Sequence, residues 1–496
     1  MTQPVSRRLF LSSALAALAT PALAEAPAVS LRPVMRPAGV RAAGGAAATE
    51  ALIAGANLSG EVGYAVLDAA TGDVLESRAA GTGLPPASVT KAVTALYALE
   101  TLGAGHRFET RLVATGPVTE GVLRGDLVLA GGGDPTLDTN ALADMAAALK
   151  RAGVREVTGS FRVWGGALPY AHAIYEHQPV HAGYNPAVSG LSLNYNRVHF
   201  EWKRAGGTYA ISMDARSGRY RPDVTVARMR VADRRAPVYA YRDAGGHDDW
   251  TVARGALGGG GARWLPVRKP ALYAGEVFAT FARSQGIVLT DPKEIEGVLP
   301  KGTTLITHKS DPLADILRGM LRYSTNITAE MVGMTASARR RGRPLSLAAS
   351  AREMTGWARA TLGMKNTDLR DHSGLSDRSR LSATDMARAL AAAQRRAALR
   401  PLLRESALRD ARGQAVRGHK VQAKTGTLYF VSTLAGYVTP PGGRDMVFAV
   451  LTASDSLRSR IDPTRDERPP GARGWNGRAK RLQRALIERW SAAYGG

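Results

Sequence analysis

The 496-residue chain contains no cysteine. That absence excludes disulfides, thiol nucleophiles and cysteine-ligated zinc or iron–sulfur centres, and also a lipoprotein anchor, which needs an acylated cysteine. Long apolar runs are missing too. The N-terminal stretch Ala14 to Ala19 falls short of the roughly 20 residues a membrane-spanning helix needs. Acidic residues are scarce, 42 against 66 lysines and arginines, for a formal charge of +24. Such a field favours anionic partners. Nucleic acid is nevertheless a poor fit, because the arginines are scattered and are not interleaved with aromatics in a recognisable reader pattern. The basic surface suits at most a peripheral association with a carboxylate-rich cell wall or a lipid surface. Hydrophobic content of 45% and charged content of 22% are ordinary for a globular protein with room for a large core.

Ser6-Arg7-Arg8-Leu9-Phe10-Leu11 resembles a twin-arginine export signal, and Ala22-Leu23-Ala24 fits an A-x-A cleavage site. Residues 1–24 are therefore expected to be a signal peptide, with the mature protein in the periplasm of a Gram-negative bacterium. Cleavage removes two arginines and no acids, leaving a charge of +22. Residues 25–47, rich in Ala, Pro, Gly and Arg, read as a linker.

Gly60–Asp68 and Asp73–Ser77 flank a Thr71-Gly72 turn and predict an antiparallel hairpin. Pro85-Pro86 end the strand pattern. A helix is expected from Ser88, with Val89, Val93, Leu96 and Tyr97 on one buried face. Between 108 and 303 the texture changes to short strands (Gly121–Ala130, Val157–Trp164) and helices (Thr139–Ala152, Tyr273–Gln285), the pattern of an inserted module. From 304 onward helices dominate: Asp311–Arg322, Ser324–Ala338, Leu345–Leu362 and Ser382–Arg395, the last with a Ser382/Asp385 capping box. Strands return at Lys420–Thr427, Val431–Val438 and Asp445–Ala453, before a basic amphipathic helix, Arg478–Ala493. This order predicts an α+β protein: a first part over 48–107, an insertion over 108–303 and a second part over 304–496. Its antiparallel sheet is assembled from both ends, with a helical cluster beside it.

Three short motifs carry chemistry: Ser88-Val89-Thr90-Lys91, Ser324-Thr325-Asn326 and Lys424-Thr425-Gly426-Thr427. Ser88 and Lys91, three apart at a helix start, share a face, and a lysine whose pKa is lowered can activate a serine. Ser324 could relay a proton and the Asn326 amide could hold a substrate carbonyl. A strand lysine followed by a hydroxyl and a glycine lets a substrate backbone approach, with a cation and an O–H facing its carboxylate. Each motif alone has a bland explanation, a capping serine or a solvated lysine. Their order and their placement on helix, helix and strand make them one site.

That trio is the signature of penicillin-binding proteins and serine β-lactamases. Gly125-Asp126-Leu127 through Gly131-Gly132-Gly133-Asp134-Pro135-Thr136-Leu137, Leu191-Ser192-Leu193-Asn194-Tyr195-Asn196 and Asp371-His372-Ser373-Gly374-Leu375-Ser376 extend the likeness over roughly residues 48–455. The chain resembles the low-molecular-mass class C penicillin-binding proteins, the D-alanyl-D-alanine carboxypeptidase/endopeptidases of peptidase family S13. It departs from them at Thr325, where S-D-N is commoner, and at His372, where glycine is usual. The resemblance implies a serine β-lactamase/transpeptidase-like fold with a large inserted α/β module, and an activity on peptidoglycan stem peptides with covalent binding of β-lactams. It makes Ser88 the acylated nucleophile, Lys91 its general base, and Ser324 a link between the two lysines. Asn326, Lys424, Thr425 and Thr427 become substrate-binding groups, with the Ser88 and Thr427 N–H groups as oxyanion hole. No cofactor is implied.

The alternatives are a β-lactamase and a catalytically silent wall-binding protein. The 236-residue gap from Ser88 to Ser324 argues against a class A β-lactamase, and the intact catalytic residue types argue against silence. Gly131–Gly133 lack the lysine of a phosphate-binding loop. His172, His177 and His181 hint at a metal, but Pro179 breaks the helix that would align the last two, so surface or turn histidines are expected and no metal is predicted.

Overall fold

A computed structural model describes residues 45–395, 399–410, 414–462 and 468–495. The expected signal peptide, and the expected linker up to residue 44, lie outside them. The last residues of that linker belong to helix α1 (Gly45–Gly55). The chain then forms strands β1 (Glu61–Asp68) and β2 (Val74–Arg78), and helix α2 (Thr90–Leu102). After the inserted segment come α3 (Leu313–Tyr323), α4 (Asn326–Arg341), α5 (Leu347–Leu362) and α6 (Ala383–Arg395). Strands β3 (Arg404–Arg409), β4 (Ala415–Leu428), β5 (Val431–Thr439) and β6 (Met446–Ala453) follow, and α7 (Ala472–Tyr494) closes the chain.

The six strands form one antiparallel sheet in the order β3-β4-β5-β6-β1-β2. Strands from both ends of the chain thus meet at β6 and β1, where Tyr64 faces Val450 across the ladder. Period-two alternation sorts the side chains. Val447, Ala449 and Leu451 of β6 pack on the helical cluster, while Met446, Phe448 and Val450 pack on Leu482, Leu486 and Trp490 of α7. Because helices cover both faces, β6 reads as an unbroken apolar run. The termini are tied together by Glu76, which accepts hydrogen bonds from Thr49 Oγ1 (2.7 Å), Tyr64 OH (2.7 Å), Arg489 Nη1 (2.6 Å) and Tyr494 OH (2.8 Å).

Two local expectations are corrected, and one strand is added to those expected. Helix α2 does not bury a single face: every residue from Thr90 to Ala98 is buried, because other helices and the sheet surround it. Strand β3 carried no apolar alternation to announce it, since only Leu408 is buried; pairing with β4 creates it. The Ser382/Asp385 box is half made. Ser382 Oγ accepts from the Asp385 N–H at 3.1 Å, but the Asp385 carboxylate turns to Asn366 N and Thr367 Oγ1.

The inserted segment has its own five-stranded sheet, in the order Lys293–Glu294, Phe161–Trp164, Leu127–Gly131, Glu109–Ala114, Thr303–Lys309. The chain leaves along Glu109–Ala114 and returns along its antiparallel neighbour Thr303–Lys309. The expected boundary at 303–304 falls at the start of that returning strand. Helices Thr139–Arg151 and Pro270–Ser284 cover this sheet around a separate core that includes Phe161, Phe278 and Trp250. Among the described residues no helix is long and apolar enough to cross a membrane.

Candidate active site

Ser88 is not the first residue of a regular helix but the middle of a 3-10 turn, Ala87–Val89, that feeds α2. Ala87 stands at φ +46°, a left-handed conformation that costs a non-glycine residue of order 1 kcal/mol. Its carbonyl is held by Thr90 Oγ1 at 2.9 Å, and Gly374 packs so close that a Cβ there would collide with it. One turn further on, Lys91 Nζ donates to Ser88 Oγ (3.0 Å), Asn326 Oδ1 (2.8 Å) and the Ser373 carbonyl (2.8 Å). Lys91 is fully buried and hydrogen-bonds to no carboxylate among the described residues. Burial, reinforced by the Lys424 cation, pushes its ammonium down to about 7, against the opposing pull of Asp371 and Glu330.

The second motif is also shifted from expectation. Ser324 does not open helix α4; it ends α3 in the left-handed conformation (φ 59°), and Thr325 caps α4. That kink turns Ser324 Oγ toward Lys424 Nζ, 3.1 Å away. Burial pushes Lys424 down to about 8. Asn326 faces two ways: Oδ1 accepts from Lys91, and Nδ2 donates to the Tyr184 carbonyl at 3.0 Å. One amide proton of Asn326 is therefore engaged by the inserted segment.

The third motif lies on a sheet edge. Strand β3 pairs with β4 only as far as Arg404 opposite Ala423, so Lys424–Leu428 keep β5 on one side and, among the described residues, have no strand on the other. Gly426 runs against the nucleophile's turn; a Cβ there would sit 2.8 Å from Ser88 N and collide with Thr433 Oγ1. Thr433 Oγ1 in turn donates to the Pro86 carbonyl at 2.8 Å, pinning turn to sheet. Ser88, Ser324, Asn326 and Thr427 line one cleft of about 870 Å³. Thr425, on the opposite face of the strand from Lys424, lines an adjoining groove together with Thr427.

Two sets of residues at this site were not assigned from the sequence. Behind Lys91, the Glu330 carboxylate accepts from the backbone N–H groups of His372 (3.0 Å) and Ser373 (2.9 Å), and from His372 Nδ1 at 2.9 Å. Burial raises Glu330, but the His372 and Ser373 contacts outweigh it and hold the carboxyl below its usual range. An ionised carboxylate only accepts, so Nδ1 carries the proton. His372 Nε2 lies 3.0 Å from Ser350 Oγ. The imidazole fits because position 333 is glycine; any Cβ there would strike the ring. Asp371, raised by burial and by the Glu330 charge, accepts from the N–H groups of Gly374 (2.9 Å) and Ser376 (2.7 Å). These carboxylates fix the loop whose Ser373 carbonyl holds Lys91. Glu330 falls one helical turn after Asn326, the only sequence cue to its position.

The other unassigned set comes from the insertion. Tyr175, His177, Gln178 and Tyr184 line the cleft, and Tyr175 OH hydrogen-bonds Asp377 on the opposite wall. His177 is an exposed residue in a bend, as expected, and also lines the cleft, its ring edge-on to Tyr175.

A nucleophile turn on a buried helix, a helical crossing and a free sheet edge define the penicillin-binding fold. The penicillin-binding protein 4 structure from Haemophilus influenzae has this fold, superposing with a TM-score of 0.73 at 20% identity over 89% of this chain and 98% of that one. Residues 46–466 match the D-Ala-D-Ala carboxypeptidase 3 (S13) family, and the chain belongs to it. It is 30% identical over 447 residues to a D-alanyl-D-alanine carboxypeptidase from an Actinomadura species, covering 82% of this chain and 80% of that one. It is 25% identical over 410 residues to the carboxypeptidase DacB of Haemophilus influenzae, covering 78% and 84%. The protein is accordingly a peptidase of the D-Ala-D-Ala carboxypeptidase type.

Proposed function

We propose that the protein is a serine-type D-Ala-D-Ala carboxypeptidase and DD-endopeptidase of the periplasm, acting on peptidoglycan stem peptides through an acyl-enzyme on Ser88. The observation that carries this reading is the contact of Lys91 Nζ with Ser88 Oγ at 3.0 Å by a lysine so buried that its pKa falls to about 7. Near neutrality such an amine is substantially unprotonated and able to take the hydroxyl proton.

The substrate strand adds to the free edge of β4, its backbone pairing beside Lys424–Thr427. Asn326 orients the acyl-side peptide, and Thr425 receives the terminal carboxylate. Ser88 Oγ attacks the penultimate D-Ala carbonyl as Lys91 accepts its proton, and the N–H groups of Ser88 and Thr427 stabilise the oxyanion. The amide C–N bond breaks, and the proton returns to the departing amine through Ser324, which Lys424 holds at 3.1 Å. Water then hydrolyses the ester. A β-lactam enters the same path and remains on Ser88. The penicillin-binding protein 4 of Haemophilus influenzae, which shares the fold, has been seen in complex with a β-lactam, and this supports binding of such a ligand here.

Incubation with a fluorescent penicillin tests the reading. The expected result is a covalent label on the wild type and none on Ser88→Ala. An unlabelled wild type overturns the acyl-enzyme, and rapid turnover of the antibiotic replaces the peptidase reading with a β-lactamase one.

A further inference from the structure

The excess of basic residues has no role in the site described so far, yet part of it is gathered next to that site. A groove of about 340 Å³ opens on the α7 side of β4, reached across Thr425 and Thr427. Arg322, Arg404, Arg409, Lys480 and Arg484 line it, from α3, β3 and α7, and no aspartate or glutamate does. Four of these five, Arg322, Arg404, Lys480 and Arg484, are exposed and form no ion pair with a carboxylate among the described residues. Elsewhere on the sheet, Arg400 is matched to Asp445 at 2.6 Å and Arg489 to Glu76. Unmatched like charges gathered around one concavity repel each other, and binding an anion there relieves that repulsion.

The position of the groove says which part of a substrate it meets. With Ser88 and Asn326 on one side of the β4 edge and Thr425 on the other, the acyl portion lies in the large cleft. The leaving group departs over Thr425, into the basic groove. A single D-alanine ends in one carboxylate, which the Thr425 hydroxyl already receives, and leaves the groove unfilled. A leaving group that continues into a second peptide strand brings further carboxylates into reach of the four unmatched cations.

We propose that this groove is a leaving-group subsite for polyanionic peptides, so that the enzyme selects cross-linked substrates whose departing amine belongs to a second, carboxylate-bearing stem peptide. The inference rests on the serine acyl-transfer reading above and specifies its leaving group. The covalent step is unchanged: the amide C–N bond breaks, the Ser88 ester forms, and the serine proton leaves on the amine.

The test compares a purified cross-linked muropeptide dimer with a monomeric pentapeptide, using wild type and the double variant Arg404→Glu/Arg484→Glu. Both positions are exposed, and continued penicillin labelling of Ser88 reports an intact fold. The expected result is a rise of about tenfold in the KM for the dimer relative to that for the pentapeptide, with kcat for the dimer little altered. An unchanged KM ratio overturns the subsite, as does a wild type that trims the pentapeptide but leaves the dimer intact. A wild type inert toward both peptides and penicillin fails at the earlier step, the acyl-enzyme reading itself.

Discussion

In the proposed reaction two buried lysines must hold opposite protonation states, and the lowering of both pKa values by burial sets the pH range expected for it. Lys91 has to be neutral to receive the Ser88 proton, while Lys424 has to be charged to hold Ser324 and attract a carboxylate. Their pKa values are pushed to about 7 and about 8, Lys91 by burial and the neighbouring cation, Lys424 by burial. Acylation should therefore follow a narrow bell. The competent fraction is about 60% at pH 7.5, and falls to about 1% at pH 5 and again at pH 10. An unperturbed lysine would be neutral in only about 3 molecules per 10,000 at pH 7, so burial supplies roughly a thousandfold in competent enzyme. The two limbs belong to the pair, since each charge acts on the other. Replacing Lys424 with Gln separates them. Loss of its cation removes a lowering influence on Lys91, so the acid limb moves to higher pH and the alkaline limb disappears. Second-order rate constants for fluorescent penicillin on Ser88, measured from pH 5 to 10 in both proteins, give the profile. A wild-type acid limb centred above pH 9, or a limb that does not move in Lys424→Gln, would refute the assignment of Lys91 as base.

Two further outcomes concern stability. His372→Ala leaves the Glu330 carboxylate with backbone donors alone and opens a void against Gly333, and should cost about 2–4 kcal/mol by urea unfolding; an unchanged midpoint would show that the imidazole is not structural. Glu76→Ala strands Arg489 and three hydroxyls where α1, β1 and α7 meet, and should cost about 2–4 kcal/mol at pH 7. Burial raises the Glu76 carboxyl, but the hydrogen bonds from Thr49, Tyr64, Arg489 and Tyr494 outweigh it and hold it below the usual glutamate range, so this stabilisation is present above the ordinary glutamate value and is lost as pH falls through the lower folded one. Wild type and variant should therefore converge in strong acid, and a gap independent of pH would contradict the ion-pair account.

Much of the fold was legible in the chain because the signals are local. The hairpin at Glu61–Arg78 and the strands β4 to β6 announce themselves by β-branched and apolar runs bounded by turn residues, and the helices by their period. What failed depended on neighbours. Arg404–Arg409 is a strand only because Ala415–Ala423 offers it a ladder. The wall formed by Tyr175 and Tyr184 comes from an insertion about 90 residues after Ser88, a proximity that no local pattern encodes.

The sequence by itself determined the inventory of the site: a serine, two lysines, an asparagine and a glycine-bearing strand, in an order that admits few folds. It also fixed the departures at Thr325 and His372. Only the tertiary structure decided how those groups behave. Lys91 and Lys424 have ordinary side chains in an ordinary sequence. Their lowered pKa values come from water excluded by elements hundreds of residues apart, and from the cation of Lys424 acting on Lys91. Desolvation belongs to a place in the fold, and a linear string has no interior in which to express it.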